Sequence, residues 1–186
     1  MDISRAKDVL DYWFSKGLYT PDYDKWFMKS QDYDEEIKEK FGDLLKEAEQ
    51  GKGFGWLHTK DSYVAYIILL DQFSRHIYRR TGDSFKNDNG CMIFVEMGWK
   101  MYCNQLKGYE FMFAFMPYMH TEIKEYSRRG KMLFFEHKSN CESKVRRLSS
   151  TITEISVDEL RNVKKEMEMY ESMQPHVHGH FQTLQQ

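Results

Sequence analysis

Leu69-Leu70-Asp71-Gln72-Phe73-Ser74-Arg75-His76-Ile77-Tyr78-Arg79 closes an apolar run that opens at Tyr63 and continues through Val64, Ile67 and Ile68. Apolar residues fall on every side of a 3.6-residue repeat here, which is the pattern of a helix wrapped by others rather than one with a wet face. Thr59 or Asp61 can cap it, so the spacing predicts a central helix from there to about Arg79. At 100° per residue Asp71 lies between Val64 and Ile67 on the face a core would claim. Arg75 and Arg79 continue that stripe at i+4 and i+8. A carboxylate on such a face needs a partner, because burying it alone is costly.

Upstream, Ile3, Ala6, Val9, Leu10, Trp13 and Phe14 recur at helical spacing and Gly17 follows as a stop. A turn at Pro21 leads to Trp26 and Phe27. Ile37, Phe41, Leu44, Leu45 and Ala48 then mark a second helix ending near Gly51, its Glu- and Lys-rich face expected in solvent. Gly51, Gly53 and Gly55 lack the spacing of a phosphate-binding loop and are read as a connection. Downstream, Gly82 breaks the chain and Asp88 opens a helix through Met92, Phe94, Val95, Trp99 and Tyr102. Another is expected from Tyr109 to Tyr126, with Pro117 kinking or restarting it, and a further one from Ser127 to Leu148. Ser149 to Thr153 reads as a polar break, and Ser156 with Glu159 as the capping box of a last helix ending near Met173.

About seven helices on short connections, with no alternating apolar and polar stretch, predict an all-α fold of stacked antiparallel helix pairs. The expected organisation is one helical domain over residues 1–173 and a flexible His- and Gln-rich tail over 174–186. A chain of 186 residues, 41% hydrophobic and with 12 Met, has apolar side chains enough for a core. Its 27 basic and 29 acidic residues leave a formal charge of −2, so no global field draws in nucleic acid or an anionic membrane. The basic clusters Arg128, Arg129, Lys131 and Lys144, Arg146, Arg147 are diluted by acidic neighbours, which disfavours a nucleic acid partner. Three cysteines, Cys91, Cys103 and Cys141, form no C-x-x-C pair, which suggests neither a disulfide framework nor a thiolate zinc site. With no apolar signal core and no apolar run of membrane-spanning length, a cytoplasmic location without membrane attachment is expected.

The candidate site residues are Asp71, Gln72, Arg75, Arg79, His120 and Glu122. Two readings of the first group stand side by side. One is a structural ion pair that fixes helix register; the other is an anion pocket with an arginine fork, since two arginines exceed what one carboxylate needs. In Phe115-Met116-Pro117-Tyr118-Met119-His120-Thr121-Glu122, a histidine follows a helix-breaking proline and could titrate near neutral pH. In a continuous helix His120 and Glu122 would point about 200° apart and could not share a site. His176, His178 and His180 alternate but sit in the Gln-rich tail, and no metal or cofactor is expected. Covalent and zinc-hydrolase motifs are also missing.

Val9-Leu10-Asp11-Tyr12-Trp13-Phe14, the Trp26-Phe27 pair, Leu69 to Arg79 and Phe115 to Glu122 together resemble domain-of-unknown-function family 924. They are similar to its V-L-D-F-W-F opening, its L-L-D-Q-F-x-R-N-x-Y-R helix and its L-P-x-x-H-S-E segment. The resemblance implies an all-helical, tetratricopeptide-like superhelix and carries no activity with it. His76 stands where the family usually has Asn, and Met116 and Thr121 where it usually has Leu and Ser. Only Pro175-His176 remains of its C-terminal R-F-G-R-F-P-H-R-N block. Two functions follow as expectations. The first is a binding or scaffold module that holds a protein or peptide segment in an inter-helix groove. The alternative is a site for a small anionic ligand, with or without catalysis, around Asp71, Arg75, Arg79 and His120.

Overall fold

The computed structural model describes residues 1–150 and 154–183, and the side chains of 154–156 and 180–183 are outside that description. Every regular element among the described residues is helical, in agreement with the all-α expectation. They divide into two compact units, Met1–Leu106 and Lys107–Gln186.

In the first unit α1 (Arg5–Trp13), the short α2 (Tyr23–Phe27) and α3 (Gln31–Glu49) precede a continuous helical rod. That rod is α4 (Lys60–Ile67), a π-helical stretch (Ile68–Phe73) and α5 (Ser74–Ile77); α6 (Asp88–Tyr102) follows. Thr59 starts the rod, its hydroxyl accepting the Ser62 N–H at 3.1 Å, as a Thr N-cap should. The rod ends at Ile77, two residues short of the expected Arg79. Every residue from Ser62 to Ser74 is buried, so the helix that reads apolar all round is the centre of this unit.

Its neighbours are α1 against α4, α3 against the π stretch and α5, and α6 against α4. Two glycines permit the close approach. A Cβ on Gly98 of α6 would stand 2.4 Å from the Tyr63 ring, and one on Gly53 would stand 2.0 Å from that of Tyr66. The tyrosine hydroxyls also hold the neighbours, Tyr63 donating to the Val95 carbonyl at 3.0 Å and Tyr66 to that of Ala48 at 3.2 Å. Buried tyrosines thus add hydrogen bonds to the area they remove from water.

The second unit contains α7 (Tyr109–His120), α8 (Lys124–Ser150) and α9 (Glu154–Thr183). Phe111, Phe115 and Tyr118 of α7 pack with Phe134 of α8 and Tyr170 of α9. Pro117 does not restart α7, one of the two outcomes expected of it. The helix runs through it, and the break comes at Thr121, whose backbone is extended at ψ 137°. Proline lacks the N–H that would bond the carbonyl four residues back, while Thr121 still donates to the Pro117 carbonyl at 3.0 Å. The last helix likewise passes Met173 and Pro175 and is helical to Thr183. The expected polar break falls partly on residues 151–153, and the expected capping box on the Ser156 side chain, both outside the described residues.

Candidate functional site

The π stretch sets the polar geometry of the central rod. A π turn carries one residue more than an α turn and so rotates the side chains after it onto different neighbours. Within it Asp71 is 0% exposed and Gln72 is buried. The Gln72 amide donates to Asp71 Oδ2 at 2.5 Å, and Arg75 Nη2 stands 3.4 Å from Asp71 Oδ1. The expected Asp71–Arg75 pair is present, yet the closer partner of Arg75 is Asp88 at the start of α6, at 2.9 and 3.0 Å. The Phe85 ring lies 5.0 Å from the same guanidinium.

Arg79 and His76 meet a third carboxylate. Arg79 Nε donates to Asp34 of α3 at 2.9 and 3.1 Å. His76 Nδ1 is 2.8 Å from Asp34 Oδ1 and 3.1 Å from Arg79 Nη2. A guanidinium can only donate, so a proton on Nδ1 serves Asp34 and not Arg79. Burial pulls the His76 pKa below its ordinary value; Asp34 raises it and Arg79 lowers it, with a net lowering. Asp34 lies seven and eleven residues before Phe41 and Leu45, on the apolar stripe of α3, and its side chain is mostly covered. Each arginine of the stripe therefore faces a carboxylate from another helix.

The other predicted residues lie in the second unit. His120 is the last residue of α7 and half-buried, and Glu122 is exposed in the short connection before α8. Because the helix breaks between them, the separation expected for a continuous helix does not apply. Among the described residues no group of three or more His, Cys, Asp or Glu is placed to hold a metal ion. Of the three tail histidines, the His180 side chain is outside the description.

A groove that sequence reasoning did not find opens on the first unit. Its volume is about 380 Å³, and its apolar walls are Ala48, Phe54, Tyr66, Leu70, Ile93, Phe94 and Met97. Gly51 and Gly90 complete the lining, and Glu49, Lys86 and Asn87 form its polar end. Glu49 accepts from Asn87 Nδ2 at 3.0 Å and from the Tyr78 hydroxyl at 3.3 Å, and pairs with Lys86 Nζ at 3.2 Å. Lys86 also stands 4.0 Å from the Tyr78 ring centroid. Ile93 and Met97 are one turn apart on α6 and both exposed, as is Phe54. Exposed large apolar side chains at i and i+4 beside a glycine were the available signal for such a groove.

A second, smaller cleft of about 250 Å³ lies beside the end of the rod, lined by polar residues that include Asp34, Lys38, His76, Arg79 and Arg80.

Comparison with known proteins agrees with the fold. The family model described as "Bacterial protein of unknown function (DUF924)" matches residues 9–181. A solved protein of unknown function from Agrobacterium tumefaciens superposes with a TM-score of 0.65 at 22% identity, covering 90% of this chain and 83% of that one. At that identity the likeness is one of fold. A search of curated proteins returns no significant match.

Proposed function

The chain belongs to this family of bacterial proteins of unknown function, and from that premise we propose that it is a binding module whose groove between the end of α3, α4 and α6 receives an apolar group. One observation carries the reading. An apolar-walled cavity of about 380 Å³ ends in the converging polar groups Glu49, Lys86 and Asn87. Ligand sites are usually concave, apolar and of roughly 300–1,000 Å³, with a few placed polar groups that set orientation. The helix-pair stacking implied by the family resemblance belongs to the same reading, since grooves between packed helices are how such folds bind.

The anion-clamp alternative around Asp71, Arg75 and Arg79 has weaker support. Two guanidiniums there are met by three carboxylates, Asp71, Asp88 and Asp34, and both arginine side chains are more covered than that of Lys86, so the local charge disfavours an incoming anion.

Gly90 supplies the test. It lines the groove, and a Cβ built there meets nothing within 4 Å, so a side chain can start from this position without striking the fold. Gly90→Trp is expected to abolish saturable binding of the neutral fluorescent probe N-phenyl-1-naphthylamine while leaving the far-ultraviolet circular dichroism unchanged. Equal probe affinity in the variant and the wild type would exclude this groove as the binding site.

A further inference from the structure

Resting on that reading of the groove, we propose that its occupant is a small amphiphile with a carboxylate head, the head at Lys86 and the chain along Tyr66, Ile93 and Met97. The argument counts donors and acceptors at the polar end. Lys86, Asn87 and Tyr78 all converge on the single carboxylate of Glu49. An ammonium has three protons and an amide nitrogen has two, so both donors keep protons after serving Glu49. The Glu49 oxygens, by contrast, are already surrounded. Exposure favours the same member of the pair, since the Lys86 side chain is 37% accessible and that of Glu49 only 19%. An acceptor entering from solvent therefore finds a reachable cation with hydrogen-bonding capacity left. A cation would have to displace donors from a more sheltered carboxylate.

Size and walls decide between a small molecule and a protein segment. A volume of about 380 Å³ is at the low end of small-molecule sites. A stable protein interface covers about 800 Å² on each partner, far more than a chamber of this size presents. Ile93 and Met97 leave their apolar ends in solvent on adjacent turns, and an alkyl chain laid between them and Tyr66 would cover both. Methionine suits such a wall because its unbranched thioether adapts to chains of different shape.

Isothermal titration of the full chain with octanoate, 1-octanol and octylammonium separates the elements of this proposal. Octanoate should bind with one-to-one stoichiometry and about tenfold more tightly than 1-octanol, as one charge-assisted hydrogen bond allows. Lys86→Met should remove that advantage and leave 1-octanol unchanged. Gly90→Trp should remove binding of both. Met97→Glu, at an exposed position that folding tolerates, should weaken octanoate more than 1-octanol. Octylammonium binding as tightly as octanoate, or Lys86→Met without effect, overturns the head-group assignment while the groove survives. A peptide ending in Leu-Leu with a free carboxylate that binds more tightly than octanoate overturns the small-molecule assignment in favour of a protein tail. If none of these probes binds the wild type, the groove reading falls as well.

Discussion

At the scale of single residues, the polar groups of the central rod are stabilised across helices. Arg75 lies between Asp71 and Asp88, and Asp34 takes both Arg79 and His76. Ion pairs of this kind add little net stability compared with well-packed apolar residues, but losing one member leaves a charge desolvated. They join the rod to α3 and to the start of α6. His76 makes the arrangement pH-sensitive. Its pKa is lower in the folded chain than the ordinary 6.5, so the unfolded chain takes up its proton first as the pH falls. Its stabilising effect is complete above about pH 6.5 and is lost below it. His137, also held neutral by burial, acts in the same direction. The urea midpoint of the wild type should fall between pH 7 and pH 5.5. His76→Asn, with an amide to donate to Asp34, should flatten that decline, leaving the part due to His137 and the carboxylates. Identical pH profiles for the two proteins would show that His76 titrates normally.

At the scale of elements, two glycines of α6 have opposite duties. Gly98 lets α6 approach the rod, because a Cβ there would stand 2.4 Å from the Tyr63 ring. Gly90 faces open space at the groove. Alanine is favoured over glycine in a helix by roughly 0.5–1 kcal/mol. Gly90→Ala should therefore raise thermal stability by up to about 1 kcal/mol. Gly98→Ala should lower it by about 1–3 kcal/mol, since overpacking a filled core exceeds the helix-propensity gain. Chemical denaturation of the pair checks this; a Gly98→Ala protein as stable as the wild type would mean that Tyr63 yields readily. The same comparison tells why the groove exists. α6 touches the rod closely at Gly98, while nearer its start Gly90 has no side chain to fill the groove.

At the scale of the whole molecule, each unit has its own interior. The first is centred on the buried run from Ser62 to Ser74, and the second on the aromatic residues of α7, α8 and α9. Within the first unit the amides of Val64 to Leu70 should exchange with deuterium most slowly, because they open only when the surrounding α1, α3 and α6 release the rod. The amides of Phe85 to Gly90, at the mouth of the groove, should exchange faster. Native-state exchange followed by mass spectrometry reads both. Protection of the 85–90 segment that equals that of the rod would contradict an order of stability centred on the rod.

The sequence by itself determined the all-helical class and the identity of the central helix of the first unit. Helical periodicity and burial on all sides are local properties, legible in Tyr63 to Leu70 without knowing any neighbour. It also marked Asp71 and Arg75 as charges that had to find partners, since an apolar helix face makes such residues costly. The partners themselves were beyond its reach. Asp34 is 42 residues from His76, Asp88 is 13 from Arg75, and Glu49 is 38 from Asn87. No periodicity links residues so far apart. The π stretch was equally hidden, because a one-residue change of register leaves no distinct pattern in the side chains. Only the tertiary structure decided that the arginines of the stripe would be met by carboxylates and that an apolar groove would open beside Lys86, because empty space is a property of packed neighbours and not of any one helix.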